Sequence, residues 1–115
     1  MRILLVALFL AVAAGPAAAD ARSDAKKQVE FGISVAQRGL WREAIYRWER
    51  AVEIDPTYAA ALNNLAIAYE HEGDLAKARA AYEKAVAIEP NNTFIKQNYE
   101  LFREINDRTT RSDIQ

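Results

Sequence analysis

The one histidine of the chain, His71, lies in the stretch YEHEGD beside Glu70, Glu72 and Asp74. An imidazole among carboxylates is raw material for a metal site or an acid–base pair, because a neutral ring nitrogen ligates cations and a carboxylate orients the ring. One histidine with acids adjacent in sequence on a helix's last turn does not make a converging ligand set, however. A group that can carry positive charge near a helix C-terminus is expected on dipole grounds alone. The serines Ser23, Ser34 and Ser112 have no candidate base, and the carboxylates are scattered. No glycine-rich phosphate loop occurs. The absence of cysteine removes disulfides, thiolate metal sites and nucleophilic thiols together. These residues predict a chain that is not an enzyme and takes no cofactor and no metal.

The second chemically suggestive stretch is RGLWREAIYRWERAVEIDP, residues 38–56, with two tryptophans and four arginines. Aromatics interleaved with cations could grip nucleic acid or a membrane surface. Spacing argues otherwise. Trp41, Ala44, Ile45, Trp48, Ala51 and Val52 fall at the i, i+3, i+4 and i+7 intervals of one helix face. Arg42, Glu43, Arg47, Glu49, Arg50 and Glu53 fall mainly on the other, with Glu43 and Arg47 placed as a favourable i, i+4 pair. The expectation is that both tryptophans are core and that the arginines belong to a solvated face of mixed charge.

Export is predicted by the first nineteen residues. A single charge at Arg2 precedes an apolar run from Ile3 to Ala14, then Gly15-Pro16, then three alanines. That order is the pattern of a cleaved signal peptide spanning residues 1–19. The apolar run is shorter than the ~20 residues that cross a bilayer, so no stable membrane insertion is expected after cleavage. Removing Arg2 lowers the basic count from 15 to 14 against 16 acidic residues, a net charge of −2. Nucleic-acid binders carry a basic excess, so nucleic acid is not an expected partner.

The element that positions everything else is a repeat. Shifted by 34 residues, Gly39 falls on Gly73, Ala44 on Ala78, Ala51-Val52 on Ala85-Val86, Ile54 on Ile88 and Pro56 on Pro90. Trp48 falls on Tyr82, Trp41 on Leu75, Phe31 on Leu65 and Gly32 on Ala66. Small residues meet small ones and bulky residues meet bulky ones, so both copies solve one packing problem. A 34-residue period with this pattern resembles the tetratricopeptide repeat family, a helix–turn–helix scaffold. The second copy, residues 59–92, carries Leu65, Ala66, Tyr69, Gly73, Ala78, Tyr82, Ala85 and Pro90 at the family's signature positions. The first, residues 25–58, carries Phe31, Gly32, Gly39, Ala44, Trp48, Ala51 and Pro56. It departs from the pattern at Val35 and at Leu40, where a capping Asp or Asn is usual.

An all-α repeat fold follows: two repeats, then one terminal helix over residues 93–107, then a disordered tail over residues 108–115. Residues 20–24 are expected to fray. Both ends of the stack are predicted to be closed. Lys27 and Ser34 replace the apolar contacts of Ala61 and Ala68 at the front, and Lys96, Glu100 and Arg103 replace those of Leu62, Ala66 and Tyr69 at the back.

The resemblance further implies a concave groove, lined by the first helix of each unit, that binds a protein or peptide segment. On this chain the lining would be Val29, Ile33, Ala36 and Gln37, then Asn63, Asn64, Ile67, Glu70 and His71, then Phe94, Gln97, Asn98 and Leu101. Some members clamp a terminal carboxylate with asparagines and several cations. At the matching positions stand Val29, Ile33, Asn64, Phe94 and Asn98, of which only Asn64 fits, so that mode is not expected. The functional expectation is an exported, monomeric adaptor, periplasmic or secreted. The competing expectation is self-assembly into a homodimer through the groove or the surface around Tyr46.

Overall fold

A computed structural model describes residues 16–114 of the 115. Five helices order the described residues: α1 (Pro16–Gln37), α2 (Trp41–Ile54), α3 (Ala59–His71), α4 (Leu75–Ile88) and α5 (Thr93–Ile114). Most of the predicted signal peptide, residues 1–15, lies outside the described residues, and residues 16–19 form the first turn of α1. Helices α1 and α2 pack as one unit and α3 and α4 as the next. The units join where α2 meets α3, and α5 closes against α4.

The turns inside the two units are copies. Each first helix ends in a glycine of positive φ, Gly39 at 78° and Gly73 at 80°. Leu40 N–H donates to Val35 O at 3.0 Å and Gly39 N–H to Ala36 O at 2.9 Å; Asp74 and Gly73 repeat this onto Tyr69 O and Glu70 O. This double closure satisfies the last carbonyls of a helix and requires a left-handed residue that glycine adopts without cost. The residue after each glycine has the same backbone, φ −90° and ψ 67° at Leu40 against φ −87° and ψ 77° at Asp74. Only Asp74 uses it, its carboxylate accepting from Lys77 N–H at 3.2 Å. Leu40→Asp is therefore expected to raise the stability of the chain by about 1 kcal/mol in urea denaturation, the worth of an N-cap on a backbone already shaped for one. An unchanged midpoint would show that the first unit's helix start is not the weak point.

The core is built from small residues and a few aromatics. Ala44, Ala51, Ala61, Ala68, Ala78 and Ala85 are buried, and Trp48, Tyr82, Ile95 and Phe102 supply the bulk. Trp48 is 4% exposed, and its indole N–H donates to Val29 O at 3.1 Å. A β-carbon on Gly32 would lie 2.3 Å from that indole nitrogen. The second unit solves the same contact with a smaller ring and a larger helix residue, Tyr82 with Ala66. Tyr82 packs on Phe102 with centroids 5.3 Å apart and donates to Glu70 at 2.5 Å. Burial first, then the bond to Glu70, raises its pKa above the ordinary tyrosine value, so it stays a donor at any physiological pH.

Several sequence expectations need correction. Phe31 is half-exposed on the convex side, where the Arg47 guanidinium covers its ring at 4.3 Å. Leu75 is exposed, whereas Trp41, its counterpart in the first unit, is partly buried. Residues 20–24 are helical, because Arg22 ties α1 to the α2–α3 turn. Its Nε donates to Asp55 at 2.5 Å and its guanidinium lies 4.5 Å from the Tyr58 ring centroid. Burial pushes the Asp55 carboxyl up, but hydrogen bonds from Arg22 and Thr57 outweigh this and hold it below the ordinary carboxylate range. At the other end α5 continues past residue 107 to Ile114. No glycine or proline interrupts residues 93–114, and Arg108 pairs with Glu104 one turn back at 2.6 Å.

The two ends of the stack differ in character as the register implies. Ile95 and Phe102 are buried where α5 meets the unit before it. Lys27 and Ser34 on α1, and Lys96, Glu100 and Arg103 on α5, are exposed.

Candidate partner-binding groove

The turn at Gly39 swings the chain so that α2 opens with Trp41 beside the last turn of α3. Trp41 stacks on His71, ring centroids 4.2 Å apart and planes 20° from parallel. The His71 Nδ1 lies 3.8 Å from the Glu72 carboxylate. Beside this stack lies a hollow of about 310 Å³ where three helices meet. Its walls are Ile33, Ala36 and Gln37 from α1, Trp41 and Trp48 from α2, and Asn64 and Ile67 from α3.

The residues expected to form one groove divide into three groups. Ile33, Asn64 and Ile67 line the hollow together with Ala36 and Gln37, and His71 stands at its rim behind Trp41. Phe94, Gln97 and Leu101 are not in it. They are exposed on α5, Phe94 at 65% and Leu101 at 57%. Leu101 nevertheless holds the place on α5 that Ile67 holds on α3 and Ile33 on α1, each 34 residues apart. Val29 and Asn63, expected at the groove surface, are buried. Val29 shares the strip of Ala25, one turn away, and turns toward Trp48. Asn63 faces α5, where its carbonyl oxygen accepts from the Asn98 amide at 3.2 Å. A buried amide requires such a partner, and here a second amide supplies it. Glu70, also expected in the lining, is taken up by the Tyr82 hydroxyl.

Sequence reasoning missed Trp41 as a wall of the hollow. Its seven-residue spacing from Trp48 placed it on the buried face, which is correct for the face. Its position as the first residue of α2 leaves the ring at the helix end, where no following turn covers it. That helix-start position was the available signal.

Chemically the hollow is apolar with two amides. None of its seven lining residues is ionisable. It can receive an apolar side chain and offer hydrogen bonds to a peptide backbone, and it offers no acid, base or nucleophile. Among the described residues no group of three or more His, Cys, Asp or Glu side chains could hold a metal, and no helix is long and apolar enough to cross a membrane.

Comparison with known proteins agrees with this architecture. An uncharacterized ycf37 protein of Pyropia yezoensis is 47% identical over 45 residues, covering 39% of this chain and 25% of its own. The chloroplastic tetratricopeptide repeat domain-containing protein PYG7 of Arabidopsis thaliana is 30% identical over 74 residues, 64% of this chain and 25% of its own. The photosystem I assembly protein Ycf3 of Rippkaea orientalis is 30% identical over 83 residues, 60% of this chain and 48% of its own. The chain thus spans between a quarter and about half of the length of these relatives. The tetratricopeptide repeat family profile matches residues 29–93, more than half of the chain and both helical pairs. The chain belongs to the tetratricopeptide repeat family.

Proposed function

We propose that the protein is an exported, non-catalytic adaptor that holds a segment of a partner protein in the hollow between α1, α2 and α3. The observation that carries the reading is the hollow itself: Trp41, Ile33 and Ile67 wall a recess open to solvent, with Asn64 and Gln37 beside them. Burying a partner's apolar side chain there removes apolar surface from water on both molecules. The family supports an interaction role, and Ycf3, by its printed name an assembly protein, supports a transient holding function. Export rests on the order of charge, apolar run and alanines in residues 1–19. The partner would then lie in the periplasm or outside the cell, and the adaptor itself would be a monomer that binds protein and not nucleic acid.

Two measurements test this reading. N-terminal sequencing of the exported product should read from Asp20; recovery of Met1 on a membrane-embedded species would refute cleavage. A photo-crosslinker placed at residue 67 should join the partner in living cells, whereas one at residue 46 on the convex side should not. The reverse pattern, or crosslinks between two copies of the chain, would favour the Tyr46 surface and self-assembly.

A further inference from the structure

We infer that the hollow selects an extended, uncharged segment by one bulky apolar side chain seated against Trp41, with the segment's backbone held by the amides of Asn64 and Gln37. This rests on the adaptor reading and adds the chemistry of what is held. Four other hollows on the described surface each contain ionisable side chains: Arg103 and Asp107 in one, Lys77 and Lys84 in the next, Glu89 in the third, Arg42 and Glu72 in the last. The hollow beside Trp41 contains none. A charge carried into it would lose its water and find no counter-charge, a cost that an uncharged segment avoids.

Amide bonding points the same way. The Asn63 and Asn98 amides bond each other, Asn92 caps α5 through Ile95 N–H, and Asn106 donates to Phe102 O. Asn64 and Gln37 make no hydrogen bond within the described structure and stand at the hollow's edge. An amide side chain offers a donor and an acceptor together, as a peptide bond does, so the two complement a backbone without reading its side chains. Specificity then falls to the recess. At about 310 Å³ it lies at the small end of ligand pockets, with room for one large side chain and not for a helix of ~10 Å diameter. A second copy of the chain is a poor occupant. A two-fold dimer brings the same patch of both copies together, and two concave faces do not fill one another.

Nuclear magnetic resonance on the exported product tests the inference, because two tryptophans give two indole N–H signals, assigned with Trp41→Phe. The probes are acetylated and amidated heptapeptides of Gly, Ser and Gln with a central Phe, Leu, Glu or Lys. The Phe and Leu probes are expected to shift the Trp41 indole signal. The Glu and Lys probes are expected to bind at least about tenfold more weakly. Asn64→Ala, which leaves the apolar walls intact, is expected to weaken the Phe probe. A Trp41 signal that ignores the Phe and Leu probes, or answers Glu and Lys equally, overturns the inference. If the segment crosslinked at residue 67 shifts Trp41 while the neutral probes do not, the assigned chemistry is wrong and the adaptor reading survives. If crosslinks arise only at residue 46, both fail.

Discussion

Trp48→Ala is expected to cost about 3–5 kcal/mol of folding stability, the range for emptying a buried aromatic site. Small domains hold only about 5–15 kcal/mol in total, so much of the chain's helicity should be lost at 37 °C. The physical reason is local. The indole fills the space against Gly32, and its N–H satisfies the Val29 carbonyl, so truncation leaves both a cavity and an unpaired buried acceptor. Gly32→Ala attacks the same contact from the other side. Its new methyl would sit 2.3 Å from the indole nitrogen, and overpacking of this kind costs about 1–3 kcal/mol. The second unit shows the remedy, Ala66 with Tyr82. The double variant Gly32→Ala with Trp48→Tyr should therefore be more stable than Gly32→Ala alone, a coupling that independent sites do not show. Urea denaturation followed by circular dichroism measures all three. A loss below about 1 kcal/mol for Trp48→Ala would mean that the first unit is not organised around that ring.

Much of the fold was legible because the repeat reports each position twice. Glycines 34 residues apart marked two copies of one turn, and alanines at matched positions marked where helices touch. Ile95 and Phe102 were placed in the core through their equivalents Ala61 and Ala68. The failures have a common cause. Equivalence in sequence conveys a position on a helix face and says nothing of what stands opposite. Leu75 and Trp41 share a position, yet only Trp41 has an aromatic, His71, to stack on. Val29 and Asn63 share another, and both were assigned to a surface that the neighbouring helices cover. The ends were misjudged for a different reason. Polar composition suggested fraying, whereas Arg22 reaches Asp55 across 33 residues, a contact that local sequence cannot show. Of the groove, the α1 and α3 residues that meet at one hollow were identifiable. The tryptophan that walls it was recognised as packing alone.

The central claim is that partner recognition resides in the hollow, and Ile67→Glu tests it most directly. Ile67 is half-buried on α3 and lines the recess with Ile33, which is 40% exposed. A glutamate there can turn toward solvent in the free protein, so the stability cost should be about 1 kcal/mol. In the complex the same carboxylate would be buried against an apolar side chain with no cation nearby, which should weaken binding at least a hundredfold. Ile33→Glu on α1 should do the same, and Lys84→Glu on the convex face should leave binding unchanged. The measurement is the affinity of the partner segment crosslinked at residue 67 for each folded variant, with helicity and melting temperature checked alongside. The account predicts that Ile67→Glu and Ile33→Glu retain their helices and lose the segment. Variants that fold and still bind with unchanged affinity would contradict it and move recognition to the convex helices around Tyr46.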